Sequence, residues 1–461
     1  MKFNFEKIKK KELDKLNFEK YDHVIIGSGP AATVLLYELL KKKKKILIIE
    51  KGNFFEKKYE KINSVNLKIK EKSRTFAVGG SSQDWSNISS YYENFELINR
   101  QTKHNIWPLN HLKLLKLYKS IDKKFGFDFK NLNKINLKIP FTTRKFIANK
   151  NPKNFKFFHT ANSYDILFNA NVDYVDEKKN SIQLYISFKS KKKIISIKNV
   201  TLCNGGIESI KLILKSLKKG MLKNLRNKKY VGKYFMDHPK CYVGYLSYPK
   251  KKILDKIKLK VKNDKISYYG ISLSEKDQRL YNYMNSYIRF EKQNKKLSQL
   301  LNIIDNTLSF KFKTLINFQN KEIYLMKIFL EMEPNYNNRI EIDKNEKVIC
   351  KLKINKKEKN SANFLLKKVY NFFSESPQKE NVRKFTSFQG KLEGASHHIG
   401  GLCYPKIINK NLKLNGLRNI YCCSSSIFPT SGSVNPTMTI CALALNHSKY
   451  LLKKKYVNHK R

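Results

Sequence analysis

The 461-residue sequence predicts an α/β protein in which a parallel sheet with packed helices is interrupted by an inserted antiparallel sheet. Three observations predict it. A short apolar run, His23 to Ile26, meets Gly27-Ser28-Gly29-Pro30-Ala31-Ala32, then a helical pattern from Thr33 to Leu40 and a second apolar run, Ile46 to Ile49. Further on, Ile194 to Cys203 again ends in glycines, Asn204-Gly205-Gly206, followed by a helical pattern from Ile207 to Leu217. Beyond that unit come tyrosine-rich and β-branched runs separated by turns rather than helices, the texture of antiparallel pairing.

The first unit carries chemistry. A buried strand ending at Gly27 enters a tight turn, and Gly29 lets backbone N–H groups approach a pyrophosphate with no Cβ in the way. Ala32 stands at the third small position, where helix and strand pack closely. The helix N-terminus offers a positive dipole to phosphate, and Glu50, at the end of the second strand, is placed to accept hydrogen bonds from a ribose hydroxyl. Small residues recur at many turns, so a βαβ unit with no ligand is the plain alternative. The order of strand, glycines, helix, strand and acid favours a dinucleotide site.

The elements follow in order. Lys41 to Lys45 is a solvated turn. Gly79-Gly80-Ser81-Ser82 is a loop whose backbone donors and hydroxyls can face phosphate or a flavin ring. Trp107-Pro108 opens a helix expected over His111 to Phe125, and Ser163 to Val175 and Ser181 to Phe188 read as strands. In the middle of the chain Cys241 to Tyr248, Ser267 to Ser274, Tyr283 to Glu291 and Ile323 to Glu331 read as strands of one antiparallel sheet. Asn338 to Asp343 and Lys347 to Ile354 flank the turn Lys344-Asn345-Glu346, and Ala362 to Phe373 reads as an amphipathic helix. Cys422-Cys423 lie in an apparent buried strand, and Thr437 to Asn446 is helical in pattern.

Composition narrows the function classes. The seven cysteines include no CxxC or CxxCH, which argues against a zinc site, a thioredoxin motif or a haem attachment and fits reduced thiols in a cytosol. No apolar run has the length of a membrane span, and Met1 to Asn17 lacks a signal-peptide core, reading as a polar arm. A net charge of +57 could serve nucleic acid or an anionic membrane. The basic residues are nearly all lysines spread through helices and loops, and no RRM, KH, zinc-finger or homeodomain signature is present. Solvated lysine is the simpler reading, with no specific nucleic-acid partner.

These motifs, together with Asn204-Gly205-Gly206-Ile207-Glu208-Ser209, Val231-Gly232-Lys233-Tyr234-Phe235-Met236-Asp237-His238-Pro239, Glu331-Met332-Glu333-Pro334-Asn335, His397-His398-Ile399-Gly400 and Asn435-Pro436-Thr437, occur from end to end of the chain. In this order the sequence resembles the glucose–methanol–choline (GMC) family of FAD-dependent oxidoreductases, and within it the pyranose oxidase and bacterial sugar dehydrogenase-like branch. The resemblance implies a discontinuous Rossmann-like FAD-binding domain with an inserted antiparallel-sheet substrate domain. On the chain this gives a first FAD-binding part at 1–110, a helical connection at 111–160, a second FAD-binding part at 161–235, a substrate domain at 236–393 and a C-terminal catalytic segment at 394–461.

It also implies roles. His397 falls at the general base, with His398 its alternative should the register differ by one, and Asn435 falls at the second active-site position. Gly27, Gly29, Ala32, Glu50, Gly79, Gly80, Ser81, Ser82, Ser425, Asn435 and Pro436 fall at cofactor contacts, and Val172 at a backbone contact to adenine. His238 reads as structural. Where relatives carry a histidine bonded covalently to FAD, just before a tryptophan, this chain has Asp84 before Trp85, so FAD is expected to bind noncovalently. The implied activity is oxidation of a hydroxyl of a sugar, sugar derivative or other alcohol, with electrons passing to an unidentified acceptor in the cytoplasm. Two alternatives stand beside it: a flavin enzyme without net redox chemistry, as in the family's lyases, and a basic polyanion-binding protein on a degenerate flavoprotein fold.

Overall fold

The computed structural model describes residues 17–98, 106–132, 135, 137–149, 164–247, 250–262, 265–292, 323–373 and 392–454. Residues 1–16, and with them nearly all of the expected polar arm, lie outside this set.

A five-stranded parallel sheet holds the order Ile420–Cys422, Val200–Leu202, His23–Ile26, Ile46–Ile49, Tyr164–Leu167. Its strands are short and apolar because both faces are covered, and every residue of His23–Ile26 and Ile46–Ile49 is buried. The helix Pro30–Leu40 starts with proline inside its first turn, where the missing N–H costs nothing. It packs beside the C-terminal helix Thr437–Lys453, which extends further than the apolar pattern indicated. The helix His111–Phe125 runs between the residues expected, because Asn110 caps it by accepting from the Lys113 N–H (2.9 Å) and Gly126 ends it in a left-handed conformation.

Two runs expected as single strands are each divided between two sheets. Tyr164–Leu167 belongs to the parallel sheet, then Asn169, at φ +52°, turns the chain into Ala170–Glu177 of a three-stranded antiparallel sheet. Lys191–Ile197 likewise closes that antiparallel sheet, and Val200–Leu202 returns to the parallel one. An apolar run reads the same whichever sheet receives it.

The second large sheet is seven-stranded and antiparallel, with Lys240–Ser247, Ile323–Phe329, Tyr287–Lys292, Lys265–Leu273, Phe141–Asn149 and Ile88–Ser89 in spatial order and Lys260–Lys262 beside Lys265–Leu273. One face packs Ile271, Ile288, Phe290, Met326 and Ile328 against the helix Lys356–Phe373. The other carries Phe146, Tyr268, Tyr287 and Phe329, stacked at centroid spacings of 4.7–4.8 Å and joined to the core of the parallel sheet. The stretch 111–160 is thus no uniform helical connection, since Phe141–Asn149 pairs along its whole length with Lys265–Leu273.

Candidate active site

A cavity of about 460 Å³ lies at the C-terminal ends of the parallel strands, within the roughly 300–1,000 Å³ usual for ligand sites. Gly27, Ser28 and Gly29 form its floor. Gly27 sits at φ +89°, and a Cβ there would fall 2.7 Å from the Asn204 Cα, so this position requires glycine for both conformation and space. Glu50, Ala170, Asn171 and Val172 line one end, Gly80, Ser81 and Ser82 the middle, and His397, Ser425, Asn435 and Pro436 the other end. Of the expected contacts two do not line it. Ala32 is wholly buried in the Pro30–Leu40 helix. Gly79 stands one layer behind, its N–H donating to the Ser28 hydroxyl (3.1 Å).

Glu50 is buried, and its carboxylate already accepts from the Ser28 N–H (2.9 Å), the Ser28 hydroxyl (2.6 Å) and the Gly52 N–H (2.8 Å). Burial pushes its pKa up, while those bonds hold it down. A carboxylate offers about four acceptor sites, so one remains for a hydroxyl of a ligand. The Ser82 hydroxyl donates to the Gly79 carbonyl (2.6 Å) and Ser81 to the Ser73 carbonyl (3.2 Å), which shapes the loop and turns its backbone toward the cleft.

At the other end a chain of hydrogen bonds fixes both imidazoles. Nε2 of His238 faces two carbonyl oxygens, Gly432 at 2.9 Å and Ser431 at 3.2 Å, which only accept, so this nitrogen carries the hydrogen. Burial lowers the His238 pKa and keeps the ring neutral, leaving Nδ1 as an acceptor. Nδ1 of His397 lies 2.8 Å away and must donate to it. Nε2 of His397 is therefore unprotonated and accepts from the Asn435 amide at 2.9 Å. The His397 pKa lies well below its ordinary value because of burial and the neighbouring His238, Lys240 and His398. Asp237 aligns the pieces: its Oδ1 accepts from the backbone N–H groups of His238 (2.6 Å), Ala395 (3.0 Å) and His397 (3.0 Å).

His398 points elsewhere. Its ring stacks on Phe235, and its backbone carbonyl would lie 2.5 Å from a Cβ on Gly206, so the Gly206–Lys218 helix docks tightly beneath the histidine pair. His238, read from sequence as structural, is bonded to the expected base; adjacency to Asp237 and Pro239 gave no sign of a ring 159 positions away. Also unforeseen is a cluster on the cleft wall, where Arg74 pairs with Glu208 and Glu60 (3.1 Å) and Lys211 with Glu60 (3.2 Å).

Residues 339–444 match the family model described as GMC oxidoreductase. Over this C-terminal stretch the chain is similar to GMC oxidoreductases. No curated protein sequence matches it significantly. Among solved structures, pyridoxine 4-oxidase from Mesorbium loti shares the fold at a TM-score of 0.59 and 12% identity, covering 95% of this chain and 100% of that one. GMC oxidoreductases act on CH–OH groups and are FAD-dependent flavoproteins. The cleft of this protein fits such a group: the cradle at Gly27, the open space that a Cβ on Gly205 would enter, and an unprotonated imidazole nitrogen lie along one cavity. Among the described residues no cluster could hold a metal ion and no helix is long and apolar enough to cross a membrane.

Proposed function

We propose that this protein oxidises an alcohol, with His397 as the general base and FAD held noncovalently in a Rossmann-like domain. The hydrogen-bonded chain Asn435, His397, His238, Gly432 is the observation that carries this reading, because it leaves one imidazole nitrogen free of hydrogen at the inner end of the cleft.

An alcohol entering there displaces the Asn435 amide from His397. Its hydroxyl then donates to Nε2, while Asn435 donates to the alcohol oxygen. The proton moves to Nε2, and Nδ1–H stays on the His238 acceptor, which keeps the ring oriented throughout. Such general-base help is worth about 10²–10⁴-fold. FAD, when bound, supplies the hydride acceptor. Glu50 would hold the ribose, the turn from Gly27 to Gly29 and the N-terminus of Pro30–Leu40 the pyrophosphate, and the Val172 backbone the adenine. Pro436 and Ser425, with the start of the Thr437–Lys453 helix, would stand by the ring, where the positive helix end favours developing negative charge.

Noncovalent attachment rests on Asp84. Its carboxylate is held by Lys57 (2.7 Å), Thr75 (2.7 Å) and Tyr59 (3.2 Å), which leaves no imidazole at the attachment position. The test is an anaerobic absorbance spectrum of the purified protein before and after adding sugars and other alcohols. Flavin bands that bleach with one alcohol support the reading and name the substrate class; protein that takes up no FAD on reconstitution overturns it. Acid denaturation should release all the flavin, and colour retained in the pellet would show a covalent bond.

A further inference from the structure

The segments that carry His238 and His397 are locked together backbone to backbone. The Met236 N–H donates to the Ile399 carbonyl (2.7 Å) and the Ile399 N–H to the Met236 carbonyl (3.0 Å), an antiparallel bridge. Two residues along this register His238 stands opposite His397, where the side chains of a cross-strand pair meet. Their rings are nearly perpendicular, at 80°, with Nδ1 facing Nδ1 across 2.8 Å. A Cβ on Gly400 would collide with the Tyr234 carbonyl, so glycine there permits the close approach.

The far nitrogen of His238 is held as firmly. It faces the Ser431 and Gly432 carbonyls, and these are themselves fixed. The Ser431 hydroxyl donates to the Met332 carbonyl (2.9 Å) and accepts from the Met332 N–H (3.1 Å), while a Cβ on Gly432 would collide with the Tyr92 ring. This loop runs on to Asn435. One side chain thus ties the segment bearing His397 to the loop bearing Asn435, with a different nitrogen on each. The two rings have four nitrogens, and their partners outside the pair are one amide and two carbonyls. None is a carboxylate, because Asp237 uses its Oδ1 on three backbone N–H groups. A general base is often oriented by a carboxylate that also stabilises the imidazolium. Here the acceptor is a neutral imidazole, and beyond it stand only carbonyls, which pass no proton onward.

We propose that His238 is the positioning residue of the reaction: its Nδ1 selects the His397 tautomer that leaves Nε2 free, and its Nε2–H sets the loop that presents Asn435. The proton taken up by His397 then has no exit through His238 and leaves by Nε2 into the cleft. This rests on the alcohol-oxidising reading above and adds the group that arms its base.

The test uses the flavin-loaded protein. Nitrogen NMR of histidine-labelled samples reads the tautomer, and anaerobic stopped-flow absorbance reads flavin reduction by a responsive alcohol. The parent protein should show hydrogen on Nδ1 of His397, scalar-coupled to Nδ1 of His238, with the signals assigned by their loss in His397→Ala. His238→Asn puts an amide oxygen near the place of Nδ1 and should keep the tautomer, slowing reduction by at most about tenfold, the worth of one lost hydrogen bond. His238→Phe fills the space without either bond and should lose the tautomer, slowing reduction by about 10²–10⁴-fold, as much as loss of the base. Circular dichroism and flavin content check that the variants fold, and the parent spectrum decides the tautomer even if H238F does not. Hydrogen on Nε2 of His397 in the parent protein, or the parent rate in folded H238F, would overturn the proposal. If H397A is slow while H238F is not, the alcohol-oxidising reading stands and His238 loses its role. If no alcohol reduces the flavin, yet the tautomer is as stated and is lost in H238F, the positioning stands and the alcohol-oxidising reading falls.

Discussion

Two neutral imidazoles bonded through their Nδ1 atoms define the chemistry at the residue scale. Removing the proposed base, His397, should separate its role from that of the proposed cofactor cradle around Gly27, to which none of its hydrogen bonds leads. His397→Ala is expected to retain FAD while slowing alcohol-dependent flavin reduction by at least about 100-fold in stopped-flow absorbance. Reduction at the parent rate would remove His397 from the mechanism. The pH profile follows from the depressed pKa. A base must be unprotonated, and His397 takes up its proton only well below the ordinary histidine range. The reduction rate should therefore stay level as pH falls through about 6.5 and drop only at lower pH; a half-maximal rate near 6.5 would contradict it. That His397, Asn435 and the glycines at 27 and 29 share one cavity was legible because each belongs to a local motif. His238 was not, because what qualifies it is a pair of carbonyls at Ser431 and Gly432 that no local pattern connects to it.

The loop bearing Asn435 and the Gly432 carbonyl is held, at the scale of elements, by a buried ion pair that joins a strand to a short helix. Arg144, on Phe141–Asn149, makes two bonds to Glu96 of the short helix Asn94–Ile98 (2.8 and 2.9 Å), and both groups reach Ser433. Asn285 adds bonds to Glu96 (2.9 Å) and Ser433 (3.1 Å). Breaking such a pair leaves a lone buried charge, so Glu96→Gln should lower unfolding free energy by about 3–5 kcal/mol in denaturant melts. The double variant Glu96→Leu with Arg144→Met removes both charges and should recover much of that stability, yet flavin reduction should stay impaired because Ser433 is no longer held. Full activity in a stable double variant would reduce the pair to a structural role. This network also explains a missed strand: Phe141–Asn149 contains Thr143 and Arg144, whose burial depends on distant partners, so its apolar alternation is weak. Where alternation is strong, as in Lys265–Leu273, the expected strand is present within two residues at either end.

Acid should reveal the balance of buried titrating groups over the whole molecule. His23, His398 and His447 are pushed down to about 3, and His238 and His397 are also lowered, all chiefly by burial. The unfolded chain protonates these near 6.5 while the folded chain does not, so each loses stability as pH falls below that value. Glu50, Asp237 and Glu358, the last raised to about 8, act in the opposite sense: the folded chain holds their protons where the unfolded chain does not, and stability gains as pH falls toward the ordinary carboxylate range. Five histidines against three carboxyls leave a net loss of stability as pH falls from 6.5 to 4.5. Below 4.5 the three no longer contribute, and carboxylates held low by cations, such as Glu96 and Glu291, begin to lose their pairs. The melting temperature should therefore decline from pH 6.5 to 4.5 and fall more steeply below. A level melting temperature across that range would show that the three raised carboxyls offset all five histidines.

Salt should act on the same molecule with one sign throughout. The chain carries 94 Lys and Arg against 37 Asp and Glu, so its positive charges far outnumber the carboxylates that could pair with them. Exposed ion pairs such as Arg279–Glu275 contribute about 0–1 kcal/mol each and weaken with salt. Repulsion among the excess cations weakens too, and with a net charge of +57 it involves many more charge pairs than the exposed bridges do. Shortening the screening length from about 10 Å at 0.1 M to about 3 Å at 1 M salt relieves repulsion between neighbours on the surface, while the buried Arg144–Glu96 pair is screened far less. The melting temperature at neutral pH should accordingly rise with sodium chloride across this range. A fall would mean that surface pairs outweigh the net charge, and that the lysines are arranged against carboxylates more closely than their numbers allow on average.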